Sequence, residues 1–214
     1  MANVPTPDSP TIFVVDDDDA VRDSLCTSLA ANGYRSEGYE SGPAFLAACA
    51  AGRTGCVLID VRMPGMDGLE LQQQLNARNI GLPVIFMTGF GEVALAVQAM
   101  KAGAVDFVEK PFSFDMLKDC IGRALARSAT SQRHAAETAQ ARERVARLTP
   151  RERDVLRLLV AGKPNKIIAH ELAISPRTVE IHRARVMDKI EVKSLSELVR
   201  VTLAAGDIAS PSAT

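Results

Sequence analysis

The sequence predicts two folds in succession: an α/β domain on a doubly wound, five-stranded parallel sheet, then a small all-α domain of four helices. Three observations predict it. Between Thr11 and Arg127, short β-branched runs alternate with amphipathic stretches, the pattern of a parallel sheet with crossover helices. Beyond residue 128 only helical periodicity continues. The charge also changes sign: residues 1–127 carry ten basic against sixteen acidic side chains, and residues 149–214 carry eleven against eight. An acidic first part and a basic remainder imply two different jobs, with the basic end the candidate for a polyanion.

The apolar runs Ile12–Val15, Val57–Ile59, Val84–Met87 and Val105–Val108 have the length of buried strands and are bounded by Gly, Pro or Asp. Arg35–Tyr39 is a more polar fifth strand. Between them lie helical patterns at Ala20–Ala31, Ser41–Ala50, Leu69–Ala77, Val93–Ala102 and Phe114–Ala126. Asn32-Gly33 and Gly103 act as stops, and Ser41 and Ser113 as N-caps. Domain one therefore spans residues 10–127.

Residues 128–147, rich in Ala, Gln, Glu and Arg without Pro or Gly, read as a helical linker that prolongs the preceding helix. Thr149-Pro150-Arg151-Glu152 is a capping box with Pro at the first helical position, and it opens a helix running to Ala161. Helices at Pro164–Leu172, Pro176–Ile190 and Leu195–Ala205 follow, the last with Ser194 and Glu197 as a capping box and Gly206 as its stop. The second domain spans 148–208, and 209–214 forms a frayed tail.

Several classes are excluded by composition. No apolar run is long enough to cross a bilayer and Met1 to Pro10 is polar, so a cytoplasmic protein is expected. Cys26, Cys49, Cys56 and Cys120 lack CxxC spacing and sit in apolar segments, which predicts buried thiols instead of disulfides or zinc ligands.

In a doubly wound sheet, ligands bind outside the carboxyl ends of the strands. Those ends carry Asp16-Asp17, Asp60, Thr88 and Lys110. Three carboxylates at neighbouring strand ends repel one another and need a cation. A hard divalent ion such as Mg²⁺ suits them, and Lys110 supplies a fixed positive charge. With that charge neutralised, one carboxylate can attack a phosphoryl group, and the Thr88 hydroxyl can donate to a phosphoryl oxygen. Asp18 and Asp19 belong to the start of the next helix, where the macrodipole favours them.

Val15-Asp16-Asp17, the Asp-x-x-Met-Pro-x-Met-x-Gly of Asp60 to Gly68, Thr88-Gly89 and Lys110-Pro111-Phe112 together resemble the receiver domain of response regulators, a flavodoxin-like fold. The resemblance implies that Asp60 is the phosphoacceptor, and that Asp17, Asp60 and the Arg62 backbone carbonyl bind Mg²⁺ directly. It implies that Asp16 reaches the metal through water, with Thr88 as switch hydroxyl and Phe107 as switch aromatic. A phosphatase with an aspartate nucleophile is the rival. Such enzymes carry an acid two residues after the nucleophile, and that position here is Arg62, so only donors with good leaving groups should serve. No turnover enzyme is expected, only self-catalysed phosphotransfer and autodephosphorylation.

The segment from Gly162 to Glu191 has the helix-turn-helix arrangement that DNA readers use. Helical projection places Val179, Val186 and Ile190 inward, with His182 and Arg183 on the flanks. Arg177, Glu180, Ile181, Ala184, Arg185 and Asp188 face outward. Glu180 suits a cytosine amino group, Ile181 a thymine methyl, and the arginines guanine or phosphate. Leu148 to Glu152, Asn165 to Ala169, and Ser175 to Val179 with His182 are similar to the tetrahelical output domain of LuxR-type regulators. That likeness implies phosphate contacts at Lys166 and Thr178 and a dimerising last helix, and the full set expected at DNA is Lys166, Arg177, Thr178, Glu180, Ile181, His182, Ala184, Arg185 and Lys189. Glu180 and Ala184 stand where some relatives carry Lys, so the preferred DNA sequence does not carry over.

Together the two resemblances cover most of the chain, and it resembles the FixJ-like branch, with Thr88 to Glu92 and Met100 to Ala104 in support. The expected partners are a sensor histidine kinase, promoter half-sites in double-stranded DNA, a second copy upon phosphorylation, and RNA polymerase. An adaptor whose helical domain binds protein is the alternative.

Overall fold

A computed structural model describes residues 9–49, 53–89 and 93–206. The chain divides into two compact units, Met1–Ser131 and Gln132–Thr214. In the first, strands β1 (Thr11–Val15), β2 (Arg35–Tyr39), β3 (Gly55–Asp60), β4 (Val84–Thr88) and β5 (Asp106–Glu109) form one sheet in the order β2-β1-β3-β4-β5. All four pairings are parallel. The helices between them are α1 (Asp19–Ala31), α2 (Gly42–Ala48), α3 (Gly68–Ala77) and α4 (Val93–Lys101), and α5 (Phe114–Ala146) follows β5. Of the expected second helix, Ala50 lies outside the described residues, as does the expected tail 209–214.

Strand alternation separates two cores, because successive side chains leave opposite faces of the sheet. Phe13, Val15, Val57, Ile59 and Phe86 meet Phe45, Leu71, Leu75 and Ala99 from α2, α3 and α4. Ile12, Val14, Leu58, Ile85 and Met87 meet Leu25 and Leu29 of α1 and Leu117 and Ile121 of α5. With helices on both faces, the central strands have no polar side, which is why they read as unbroken apolar runs. Strands β2 and β5 are the two edges and are correspondingly mixed in burial.

The second unit contains α6 (Pro150–Val160), α7 (Asn165–Glu171), α8 (Pro176–Ile190) and α9 (Leu195–Ala205). Both halves of the capping box at Thr149 and Glu152 form. The pair at Ser194 and Glu197 closes only in part. The Ser194 side chain accepts from the Glu197 N–H, but the Glu197 carboxylate takes the Lys193 N–H at 2.8 Å. Val155, Leu156, Leu159, Ile168, Val179, Val186, Ile190 and Leu198 make the core.

Ala141 and Val145, from the last turns of α5, belong to the same core. They lie inside the span expected to be linker. Two small apolar residues four apart, set among Arg, Glu and Gln, are too weak a stripe to announce a packed face.

Candidate functional site

The acidic residues converge because β1 and β3 are adjacent and end at the same level: Val15 pairs with Ile59, so Asp16 and Asp60 follow side by side. Strand β4 continues the row, with Asp60 opposite Met87, and β5 brings Lys110 from the far side, its backbone N–H donating to the Thr88 carbonyl at 2.8 Å. Strand β1 ends at Val15, so Asp16 is the first residue beyond it. Asp18 then caps α1, accepting from the N–H groups of Ala20 at 2.8 Å and Val21 at 3.3 Å.

Lys110 Nζ donates to Asp16 Oδ2 at 2.9 Å and to Asp60 Oδ1 at 2.6 Å. The second oxygens are also engaged. Asp16 Oδ1 accepts from the Asp18 N–H at 3.0 Å, and Asp60 Oδ2 accepts from the Arg62 N–H at 2.7 Å. Asp16 is 1% exposed, while Asp17 stands exposed beside it. Burial lifts the Asp60 carboxyl above its usual range, with Asp16 adding to the rise and Lys110 and the Arg62 N–H opposing it. Burial also works against the Lys110 charge, but its bonds to Asp60 and Asp16 outweigh that and hold the ammonium above the ordinary lysine range.

Two carboxylates therefore share one ammonium, and Asp17 adds a third negative charge at the rim. That charge imbalance and the all-oxygen donor set fit a hard divalent cation bound through one or two carboxylates and several waters. Among the described residues no three His, Cys, Asp or Glu side chains gather closely enough to hold a metal ion, so a cation here would rest on one or two carboxylates with a backbone carbonyl and water.

Thr88, 3% exposed, points its hydroxyl at the Val108 carbonyl, 3.4 Å away, and not at Asp60. Phe107 lies on β5 with 43% of its surface exposed. Gly68 passes close to the end of β3, since a Cβ there would stand 2.5 Å from the Asp60 carbonyl oxygen. One contributor carried no clear sequence signal: Arg22, on α1, donates through its guanidinium to the Asp16 backbone carbonyl at 2.8 Å.

In the second unit, α7, a turn through Ala173 with φ 52°, and α8 form the helix-turn-helix. The expected inward residues Val179, Val186 and Ile190 are fully buried. Lys166, Arg177, Glu180, Ile181, Ala184 and Arg185 are exposed, Ile181 to 47%. Thr178 spends its hydroxyl partly on Ser175, 2.8 Å away at the helix cap. His182 is half-buried, and its Nδ1 is enclosed without a hydrogen-bond partner. Lys189 turns inward: its Nζ lies 2.7 Å from Glu152 Oε2, and the Glu152 side chain is 3% exposed. The ammonium expected at DNA is thus committed within the unit.

Two family models match these regions, "Response regulator receiver domain" over residues 12–122 and "Bacterial regulatory proteins, luxR family" over residues 146–202. The chain belongs to the response-regulator family. Within the family it is similar to the transcriptional regulatory protein FixJ of Azorhizobium caulinodans, 49% identical over 94% of this chain and 95% of that protein. It is similar also to FixJ of Bradyrhizobium diazoefficiens, 48% identical over 91% of this chain and 95% of that one. Among solved structures, the response regulator StyR aligns with a TM-score of 0.81 at 40% identity, covering 91% of this chain and 98% of StyR. Full-length FixJ from B. japonicum aligns with a TM-score of 0.57 at 46% identity, covering 94% and 98%.

This response regulator is therefore a FixJ-like transcriptional regulator, with a receiver domain and a LuxR-type DNA-binding domain. A sensor kinase and DNA are the partners that such an organisation implies. Among the described residues no helix is long and apolar enough to cross a membrane.

Proposed function

We propose that Asp60 is the phosphoacceptor of this regulator and that its phosphorylation by a sensor histidine kinase, in the cytoplasm, promotes dimerisation and binding to promoter half-sites. The observation that carries the reading is Lys110, whose single ammonium reaches both Asp16 and Asp60, at 2.9 and 2.6 Å. A carboxylate oxygen of Asp60 forms the new bond to phosphorus while the bond to the donor's leaving group breaks and the electron pair departs with that group. Lys110 balances the charge gathered there, and Asp16, Asp17, Asp60 and the Arg62 carbonyl would hold Mg²⁺. When bound, the ion supplies neutralisation of the phosphoryl oxygens. Arg62 offers no proton to a poor leaving group, which keeps the chemistry to self-catalysed transfer and slow loss of the phosphate.

Thr88 acts as the switch hydroxyl by turning from the Val108 carbonyl towards a phosphoryl oxygen, and Phe107 follows as the switch aromatic. The face they alter already exposes Val97, Met100 and Phe107, each more than two-fifths accessible, which suits a surface a second copy covers. A dimer brings two output domains to two half-sites, so two weak contacts act as one useful affinity. Lys166, Arg177, Thr178, Glu180, Ile181, His182, Ala184 and Arg185 form the proposed DNA face, and RNA polymerase is the further partner on the promoter. Lys189 is left to the fold.

The test is Asp60→Asn in the full chain. It is expected to take no phosphate from acetyl phosphate by intact mass, while the native chain does. Only the native chain should gain affinity for DNA selected from a random library when beryllofluoride is added. Phosphate on Asp60→Asn, or DNA binding indifferent to beryllofluoride in the native chain, overturns the proposal.

A further inference from the structure

Arg22 sits one turn into α1 with its side chain only 15% exposed, although Asp19 and Asp23 beside it lie in solvent. Its Nη1 donates to the Asp16 backbone carbonyl at 2.8 Å, and its Nη2 pairs with Asp19. The other side of Asp16 is also fixed, its N–H donating to the Tyr39 carbonyl at 3.2 Å. Peptide planes on both sides of the residue are thereby held. The plane that Arg22 holds carries the Asp16 carbonyl and the Asp17 N–H together, so it sets the direction in which Asp17 leaves β1.

The route of this side chain is built into the sheet. The Arg22 stem crosses β2 at Gly38, where a Cβ would stand 2.9 Å from Arg22 Cγ and 3.1 Å from Cδ. Gly38 is not among the glycines of positive φ, so its value there is space and not backbone freedom. A carbonyl and a carboxylate at fixed separation need two rigid donors, which a guanidinium fork provides and a single ammonium does not.

We propose that Arg22 is the positioning residue of the acidic loop: it locks the Asp16–Asp17 peptide so that both carboxylates face one divalent cation. The inference rests on the reading of Asp16, Asp17 and Asp60 as a Mg²⁺ site. It differs from a simple charge effect in sign. A cation beside a cation site opposes metal binding, so removal of the charge alone would tighten Mg²⁺. Removal of a group that orients the ligands loosens it, by about tenfold or more for supporting residues around metal sites.

The experiment titrates Mg²⁺ into the unphosphorylated full chain, followed by calorimetry and by the amide resonances of Asp16 to Asp19. Arg22→Met is expected to weaken the Mg²⁺ dissociation constant about tenfold, and Arg22→Lys to recover part of the loss. Gly38→Ala keeps the arginine and its charge but displaces the stem, and it should weaken Mg²⁺ in the same direction. A native chain that takes up no Mg²⁺ refutes the metal site itself. A native chain that binds, with Arg22→Met binding as well or better, refutes the positioning role. A lowered unfolding temperature with unchanged Mg²⁺ affinity marks a merely structural arginine and refutes it equally. Should Arg22→Met fail to fold, unchanged affinity in Gly38→Ala is decisive against the proposal.

Discussion

Lys189→Met separates a clamp from a DNA contact. Lys189 Nζ meets Glu152 at 2.7 Å, the carboxylate is 3% exposed and the lysine 35%. Glu152 also accepts the Thr149 N–H at 2.9 Å, so it joins α8 to the start of α6. Breaking a buried pair from one side costs about 3–5 kcal/mol. The retained Thr149 donor and the open flank of the lysine reduce that here to about 2 kcal/mol. Acid dependence follows from the same geometry. Burial pushes the Glu152 carboxyl up, but Lys189 and Thr149 outweigh it and hold it at about 2, against an ordinary 4.5. A depressed carboxylate stabilises above pH 4.5 and loses that contribution as the pH falls towards 2, about 2–3 kcal/mol after allowance for screening at Lys189. In Lys189→Met the carboxyl rises towards its ordinary value and this acid sensitivity shrinks. Urea unfolding of the full chain, followed at amide resonances of α6 and α8 at pH 7 and pH 3.5, measures both effects. The salt dependence of DNA affinity completes the test, because a phosphate contact removes about one unit of slope and a clamp removes none. Unchanged stability together with a slope lower by about one would refute the clamp.

Two further outcomes are expected. Lys110→Met leaves Asp16 and Asp60 without their shared ammonium and should slow phosphate uptake from acetyl phosphate by about two orders of magnitude or more, read as the rate of mass gain. Ile190→Ala opens the fully buried core of the output domain at a cost of about 2–5 kcal/mol. It should abolish DNA binding in mobility-shift assays while phosphate uptake at Asp60 stays at the native rate.

Much of the fold was legible because its signals are local. The central strands are apolar on both faces, and Ser41, Thr149, Ser175 and Ser194 cap the helices as their sequence neighbourhoods announce. The strand-end carboxylates were legible as well, since a parallel sheet brings strand ends together by topology alone. What the sequence hid depends on partners distant along the chain. Lys189 reads as one more cation on a basic helix until its partner, thirty-seven residues earlier, is seen beside it. Arg22 reads as a solvated helix residue until the absent side chain at Gly38 reveals its path. Gln72 and Asn76 of α3, both donating at 3.2 Å to the Ala102 carbonyl after α4, are likewise unremarkable in one dimension.

Among the described residues Lys189 bonds to the buried Glu152, and Lys110 to the buried Asp16 and the largely enclosed Asp60, in two opposite environments. Glu152 has an ammonium to itself together with hydrogen bonds from Thr149, and its carboxyl is held at about 2. These partners join α8 to the start of α6. Asp60 divides its ammonium with Asp16, and its carboxyl is pushed up instead. Its other oxygen accepts from the Arg62 backbone N–H. A carboxylate left short of positive charge beside a second carboxylate is poorly suited to stabilising a fold and well suited to recruiting a cation, and then a phosphoryl group, from outside. The difference lies in what surrounds each pair, since the ion-pair distances, 2.6 and 2.7 Å, are nearly equal.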